Sequence, residues 1–236
     1  MELDDGPTRA PMTVYKGNKE LERLAKLAAV RYYREEVLDK EIQYNGDDAA
    51  YNAMRQARVP LLSFIQQTHG DPGAKNQALK ARKADRQPTL PPYYGSLEEG
   101  AISLLPEFTT SKDSEQVVLW RLDKFDRSNF LQSLLVFQST SADFDYLREY
   151  VLRLSEQAGP PSNRYTDEHK IVKFVVMPGV PLIPTIFERE EYFSKDEAEV
   201  IIPPSTHACY ALRDQEENGH PVVVVTPKEE DCCNIL

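Results

Sequence analysis

Cysteine is scarce in this sequence, and the few cysteines do not suggest a disulfide framework. The 236 residues include only Cys209, Cys232 and Cys233, and the last two are adjacent. Disulfide frameworks use several spaced cysteines and belong to oxidising compartments. The first five residues also lack the basic and apolar regions of a secretory signal. We therefore expect a protein that works in the reducing cytosol. Secretion by a route that needs no signal peptide stays open as an alternative.

Long hydrophobic runs and an excess of basic residues are missing as well. No uninterrupted apolar stretch approaches the roughly 20 residues of a membrane-spanning helix. Acidic residues outnumber basic ones by 38 to 28, and the net charge of −10 repels a phosphate backbone. We expect no nucleic-acid partner. Hydrophobic residues still make up 41% of the chain, which is enough for the core of a globular domain.

Several common catalytic signatures are also absent. The sequence contains no glycine-rich phosphate loop and no serine in a Gly-x-Ser-x-Gly turn. The four histidines are scattered without metal-ligand spacing. His207 and Cys209 would alternate on one strand, but the sequence shows no third ligand. We therefore expect no metal site.

The first part of the chain has helical periodicity. Residues 1–14 carry two prolines and no periodicity, which predicts a flexible tail before a domain over 15–226. From Asn18 onward, apolar residues recur at three- and four-residue spacing: Leu21, Leu24, Leu27, Ala28 and Tyr32. A second helix is predicted to begin near Asp47 and Asp48, and Pro60 to kink or split it.

A basic segment and three prolines follow. The basic residues lie within 75–86 and form either a solvated helix face or a patch for an acidic partner or anionic lipid. We expect Pro88, Pro91 and Pro92 to end the helical structure, so that the helical part spans 15–86.

Beyond residue 115 the pattern changes to short β-rich runs. They are residues 117–120, 134–137, 171–176, 200–202 and 222–225. One predicted helix, over about 143–157, interrupts them. Helices followed by strands are typical of an α+β fold, here N-terminal helices and a mixed β-sheet core over 115–226. Residues 227–236 are predicted to form a second flexible tail.

Three groups of polar residues lie beside these predicted strands. Arg121 follows 117–120, where its planar guanidinium could bind paired phosphates or simply end a strand in solvent. Ser139, Thr140 and Ser141 follow 134–137, where their hydroxyls could bond a ribose or hold a carboxylate. Ser141 could equally cap the next helix.

The third group is Glu197 and Glu199, directly before 200–202. Residues two apart in a strand share a face, which would place these carboxylates about 6.5 Å apart. Two like charges so close are costly unless each has a task or a partner. For an isolated pair, two solvated acids at a strand start are the simpler interpretation.

In this order, the three groups resemble the R-S-E class of mono-ADP-ribosyltransferases, which includes bacterial toxins and vertebrate ecto-enzymes. The family pattern is a strand arginine, a later Ser-Thr-Ser, and a Glu-x-Glu that opens an apolar strand ending in prolines. The resemblance covers roughly residues 115–212. Leu122 departs from it, since many members carry glycine there, and the stretch between Ser141 and Glu197 is longer than in compact members.

The resemblance implies an NAD-binding core of the ADP-ribosyltransferase type, with NAD as co-substrate. Glu199 would be the catalytic carboxylate, stabilising the oxocarbenium-like transition state. Arg121 would hold the pyrophosphate, and Ser139 would support the nicotinamide side and Glu199. Thr140 and Ser141 complete the implied NAD-binding group, chiefly as scaffold.

The resemblance also implies the acceptor. A glutamate at Glu197 goes with an arginine acceptor on a target protein, because a second carboxylate can orient a guanidinium and help remove its proton. Tyr192 and Phe193, within 188–196, would contact that protein or pack beneath their own loop. Two alternatives stay open: an NAD glycohydrolase of the same fold, and a catalytically silent interaction module tethered to a membrane.

The last four residues, from Cys233 to Leu236, are similar to a C-a-a-X prenylation box. Leu236 predicts that a host prenyltransferase attaches a geranylgeranyl group to Cys233. One lipid anchors weakly, so palmitoylation of Cys232 is the expected second signal. We expect the protein at the cytoplasmic face of eukaryotic membranes, and the toxin-like motif favours a bacterial effector over a eukaryotic protein.

Overall fold

The computed structural model describes residue 15 and residues 17–70, 92–157, 168–185 and 198–228. Within these ranges, no helix combines the length and apolar character that crossing a bilayer requires. Several predicted residues lie outside them: Tyr192, Phe193, Glu197, Cys232 and Cys233.

Helix α1 spans Lys19–Asp39 and begins where the sequence predicts. The side chain of Asn18 accepts a hydrogen bond from the Leu21 N–H at 3.0 Å, which satisfies a donor that the first helical turn leaves unpaired. The predicted apolar stripe is confirmed, with Leu21, Leu24, Ala28 and Tyr32 buried.

Helices α2, Asp48–Arg58, and α3, Pro60–Gly70, confirm that Pro60 splits the second helical segment. Asp47 caps α2 by accepting from the N–H groups of Ala49 and Ala50. Pro60 begins α3 because the first helical position needs no N–H donor.

A fourth helix, α4, spans Pro92–Leu104 and packs against α3. The expectation that Pro92 ends helical structure is wrong, because proline is well tolerated at the first position of a helix. The helical part of the chain therefore extends beyond residue 86.

The second half of the described chain forms one mixed sheet. Its strands are β1 Val117–Lys124, β2 Gln138–Ser141, β3 His169–Val176, β4 Ile183–Pro184, β5 Glu199–Ile202, β6 Ala208–Leu212 and β7 Val222–Pro227. Their order across the sheet is β4-β5-β2-β1-β3-β7-β6. Strands β3 and β7 run parallel, and the other neighbouring pairs run antiparallel. This confirms the predicted α+β fold with helices first and a mixed sheet after them.

The predicted strand at 134–137 is wrong. Phe130–Leu135 is a 3-10 helix, and β2 begins only at Gln138. The turn buries Phe130 and Leu134, so the apolar residues there follow helical spacing. A short apolar run does not distinguish a strand from a buried helical turn. The three hydroxyl residues consequently lie within a strand and not after one.

Helix α5, Phe144–Gln157, confirms the helix predicted over 143–157. The residue that caps this helix is Asp143 and not Ser141. Its side chain accepts a hydrogen bond from the Tyr146 N–H in the first turn, at 3.0 Å. Ser141 instead exchanges hydrogen bonds with the backbone of Asp143, so it shapes the turn that precedes the cap.

The register of the central strands places the polar groups near one another. Ser141 lies opposite Glu199 on β5 and opposite Trp120 on β1. Beneath these strands the core is apolar, with Leu119, Phe174 and Val200 fully buried. Strand β2 is therefore the element that joins the arginine strand to the glutamate strand.

Candidate active site

Glu199 is the first residue of β5, and its carboxylate is held on both sides. Only 3% of the residue is exposed. Ser139 donates its hydroxyl hydrogen to Oε1, and Thr185 donates to Oε2. Burial alone penalises an ionised carboxylate, whereas hydroxyl donors stabilise its charged form. The arrangement is suited to a buried acid that works as an anion.

The backbone of Glu199 is held as firmly as its side chain. Its carbonyl oxygen accepts from the Thr185 N–H at 3.1 Å and from the Tyr15 hydroxyl at 2.7 Å. Tyr15 lies ahead of α1 and is buried, so the start of the described chain reaches the glutamate strand. These contacts fix the point from which the Glu199 side chain extends.

Arg121 lies inside β1, which continues to Lys124, and not beyond the end of the strand as the sequence suggested. Its Nε donates to Asp123 at 2.8 Å, and its Nη1 donates to the Ser139 carbonyl at 3.1 Å. Nη2 bonds to no part of the chain that the structure describes, and 21% of the side chain is exposed. Among the described residues, the guanidinium therefore keeps Nη2 without a partner beside Ser139.

Ser139 connects the two charged residues. Its carbonyl accepts from Arg121, and its hydroxyl donates to Glu199. The three residues that the resemblance singles out are thus joined by one chain of hydrogen bonds across two neighbouring strand pairs. Thr140 and Ser141 bond to backbone atoms, so that Thr140 ties β2 to Val200 on β5 and Ser141 shapes the turn at Asp143.

The extended backbone assumed between Glu197 and Glu199 is not present at Ala198, and Glu197 itself lies outside the described residues. Ala198 has a φ of +43°, in the left-handed region, and β5 begins only after it. The side-chain alternation of a strand does not extend across such a residue, because it holds only for extended backbone. The Ala198 carbonyl accepts from the Ala142 N–H at 2.9 Å, which ties this bend to the end of β2.

Three further residues of the site could not all be recognised from the sequence. Asp123 lies two residues after Arg121 and shares its face of β1, but the strand predicted over 117–120 ends before both residues. Thr185 and Tyr15 carry no linear signal, since their contacts with Glu199 span 14 and 184 residues. Among the described residues, no group of His, Cys, Asp and Glu is placed to hold a metal ion.

No family model and no curated protein matches the chain. Several solved ADP-ribosyltransferase structures align with it. The Vis toxin of Vibrio splendidus is 18% identical with a TM-score of 0.41, over 94% of this chain and 91% of its own. An ADP-ribosyltransferase from Clostridium botulinum is 13% identical with a TM-score of 0.41, over 78% and 96%. The C3 exoenzyme of Clostridium limosum is 11% identical with a TM-score of 0.40, over 89% and 95%. A TM-score below 0.5 does not support an inference about function. The function is therefore inferred from the residues around Glu199.

Proposed function

We propose that this protein is a mono-ADP-ribosyltransferase that moves ADP-ribose from NAD to an arginine of a target protein and releases nicotinamide. The observation that supports this best is the chain of hydrogen bonds from Arg121 through Ser139 to Glu199. The last two residues are 60 positions apart in the sequence. A cation suited to phosphate and a buried anion are thereby held on β1 and β5, the two strands that flank β2.

The chemistry needs an anion near the ribose. As the bond between nicotinamide and ribose breaks, its electron pair leaves with nicotinamide, and positive charge develops at the ribose C1′. A fixed carboxylate stabilises that charge more than it stabilises bound NAD, which is the condition for catalysis. In the proposed reaction Glu199 provides this carboxylate, while Ser139 and Thr185 keep it oriented.

Arg121 is suited to the pyrophosphate of NAD. Its Nη2 is available, while Asp123 and the Ser139 carbonyl hold the rest of the guanidinium in place. An arginine fixed in this way can donate to a phosphate oxygen without first becoming ordered. We assign Ser139 to the nicotinamide side of the same molecule.

A guanidinium nitrogen of the target arginine then attacks C1′ of the ribose and gives up a proton. We assign the orientation of that guanidinium and the removal of its proton to Glu197, and contact with the target protein to Tyr192 and Phe193. These assignments rest on the family resemblance. We also propose that a host prenyltransferase modifies Cys233 and that Cys232 carries a second lipid, which places the enzyme at a membrane surface.

Incubation with labelled NAD and a cell lysate tests the reaction. Transfer gives labelled protein, glycohydrolysis gives free ADP-ribose and nicotinamide, and a silent module gives neither product. Glu199→Gln should remove both reactions, because it keeps the side chain's size but removes a charge worth about 3 kcal/mol or more in the transition state.

Glu35→Gln is the matched control. It is also an acid-to-amide change at a residue only 3% exposed, but its carboxylate lies between α1 and α3. We expect near-normal turnover from this variant below its unfolding temperature. Near-normal turnover from Glu199→Gln would contradict the proposed role of Glu199.

A further inference from the structure

Thr185 bonds to Glu199 twice, once through its side chain and once through its backbone. It directly follows β4, which pairs antiparallel with β5. Its hydroxyl donates to Oε2 of Glu199, and its N–H donates to the Glu199 carbonyl. The residue is 0% exposed. The hydroxyl and the N–H of Thr185 therefore both bond to one residue.

We propose that Thr185 is a positioning residue that fixes the plane of the Glu199 carboxylate, so that it faces the positive charge developing on the ribose. This inference rests on the proposed function. The last torsion of a glutamate side chain is broad, so rotamer preference leaves the carboxylate plane undetermined. The hydrogen bond from Ser139 restrains this torsion through one oxygen, Oε1. With Thr185 on the other oxygen, both ends of the carboxylate are fixed.

A purely structural role for Thr185 would give different results. Thr110 is the appropriate comparison, because it is a threonine only 3% exposed whose hydroxyl donates at 2.9 Å to a backbone carbonyl, that of Val180. The same hydroxyl accepts from the Gly179 N–H at 2.8 Å, so its loss affects packing and two backbone contacts. Loss of the Thr185 hydroxyl affects a carboxylate as well, and its backbone N–H would still pair β4 with β5.

The test compares Thr185→Val, Thr185→Ser and Thr110→Val in the full chain. Valine matches the shape of threonine and lacks the hydroxyl, whereas serine keeps it. We expect kcat to fall about tenfold to hundredfold in Thr185→Val, as befits the loss of a hydrogen bond to a charged group. KM for NAD should change little, because Arg121 and Ser139 are intact. Thr185→Ser should restore most of the loss, and Thr110→Val should match wild type well below its unfolding temperature.

Carbon-13 NMR of the glutamate carboxyls gives a second measurement, the pH titration of Glu199, which does not depend on a reaction with NAD. The Glu199 signal is identified by its absence in Glu199→Gln. Its titration midpoint should move to higher pH in Thr185→Val, since one donor to the charged form is gone. It should stay in place in Thr185→Ser and Thr110→Val. If the valine variant does not fold, Thr185→Cys supplies a weaker donor and should shift the midpoint in the same direction.

These readings separate the two proposals. An unchanged midpoint with unchanged kcat in Thr185→Val overturns the role of Thr185, as does an equal loss in Thr110→Val or no recovery in Thr185→Ser. A shifted midpoint in a protein that does not consume NAD would support the hold of Thr185 on Glu199 and refute the proposed function.

Discussion

Arg121 lies between two acceptors in the protein, and this determines what its replacement should do. The guanidinium bonds to Asp123 and Ser139 and still has donors left for a phosphate. Lysine keeps the charge but cannot span these groups, because it is a point charge on a flexible stem. We expect Arg121→Lys to weaken NAD binding about tenfold or more, measured by calorimetric titration.

Arg55→Lys is the control for the general effect of replacing a guanidinium that bonds through two nitrogens. Arg55 bonds to Asp39 through two nitrogens, at 2.7 and 3.0 Å, and lies on α2. Its replacement should leave NAD affinity unchanged. Unchanged affinity in Arg121→Lys would place Arg121 outside the NAD site.

Glu197 should respond differently from Glu199. We assign its carboxylate to the acceptor, so Glu197→Gln should abolish arginine modification and retain much of the NAD hydrolysis. Separate quantification of labelled protein and free nicotinamide tests this. An equal loss of both activities would mean that the two glutamates do not divide the work in this way.

Single residues of the site differ in how far the sequence could predict them. Arg121, Ser139 and Glu199 could be selected because their order and types resemble a family pattern. The bend at Ala198 could not be predicted, because a left-handed backbone at a residue other than glycine is uncommon and depends on its surroundings. Thr185 could not be predicted either, since its hydroxyl meets Glu199 only because β4 pairs with β5.

At the scale of elements, α1 and α3 are coupled by a buried acid. Glu35 on α1 accepts from the Leu62 N–H at 2.8 Å and from Arg31 at 2.9 Å. Leu62 lies in the first turn of α3, where N–H groups lack partners within the helix. The residue before Pro60 is Val59, which has no side-chain acceptor, so a carboxylate from another helix takes the place of a local cap.

This cap should make stability depend on pH. Burial raises the pKa of Glu35 above its ordinary value, even though hydrogen bonds from Leu62 and Arg31 act to lower it. The folded state then binds a proton more readily than the unfolded state. The stability from this group is fully present below the ordinary pKa and is lost as pH rises through the folded pKa. Relative to Glu35→Gln, the wild-type free energy of unfolding should fall as pH rises above about 4.3, and then level off.

Glu20 provides a control of opposite sign. A side-chain hydrogen bond from Arg23 holds the pKa of Glu20 below its ordinary value. Its contribution is present above the ordinary pKa and is lost as pH falls. Urea unfolding over a series of pH values should therefore give opposite slopes for the Glu35→Gln and Glu20→Gln differences. Equal slopes would contradict the account of Glu35.

The elements that could be predicted are those with local signals. Helices α1 and α2 begin at the capping residues Asn18 and Asp47, which the sequence shows directly. The strand predicted over 134–137 overlaps the end of the 3-10 helix Phe130–Leu135, because an apolar run of four residues does not distinguish a strand from a buried helical turn. Helix α4 is not predicted, because proline both interrupts helices and suits their first position, and the sequence alone does not distinguish these roles at Pro92.

At the scale of the whole molecule, strand order lies beyond what the sequence can show. Strand β2 pairs with β1 and with β5, although three elements of the described chain, α5, β3 and β4, lie between β2 and β5 in the sequence. Alternation of polar and apolar residues predicts strands but not which strands become neighbours. The bonded path from Arg121 to Glu199 depends on this order.

Location is also a property of the whole molecule. In a chain that ends at Leu236, we expect Cys233→Ser to move the protein from membranes to cytosol in a eukaryotic cell. Serine cannot form the thioether, and Cys232 should then go unmodified because its palmitoylation would follow membrane contact. Activity on a soluble arginine acceptor should not change, because the site lies on β1, β2 and β5.

The net charge of the chain strengthens the prediction that membrane binding depends on the lipids. A chain with net charge −10 is repelled by an anionic leaflet, apart from its basic segment over residues 75–86. Cys232→Ser alone should therefore leave partial association, since a single lipid anchors weakly and reversibly. Cell fractionation of wild type and both variants measures this directly. A cytosolic wild type, or a Cys233→Ser variant that stays on membranes, would refute the lipid anchor and leave the proposed reaction at Glu199 untouched.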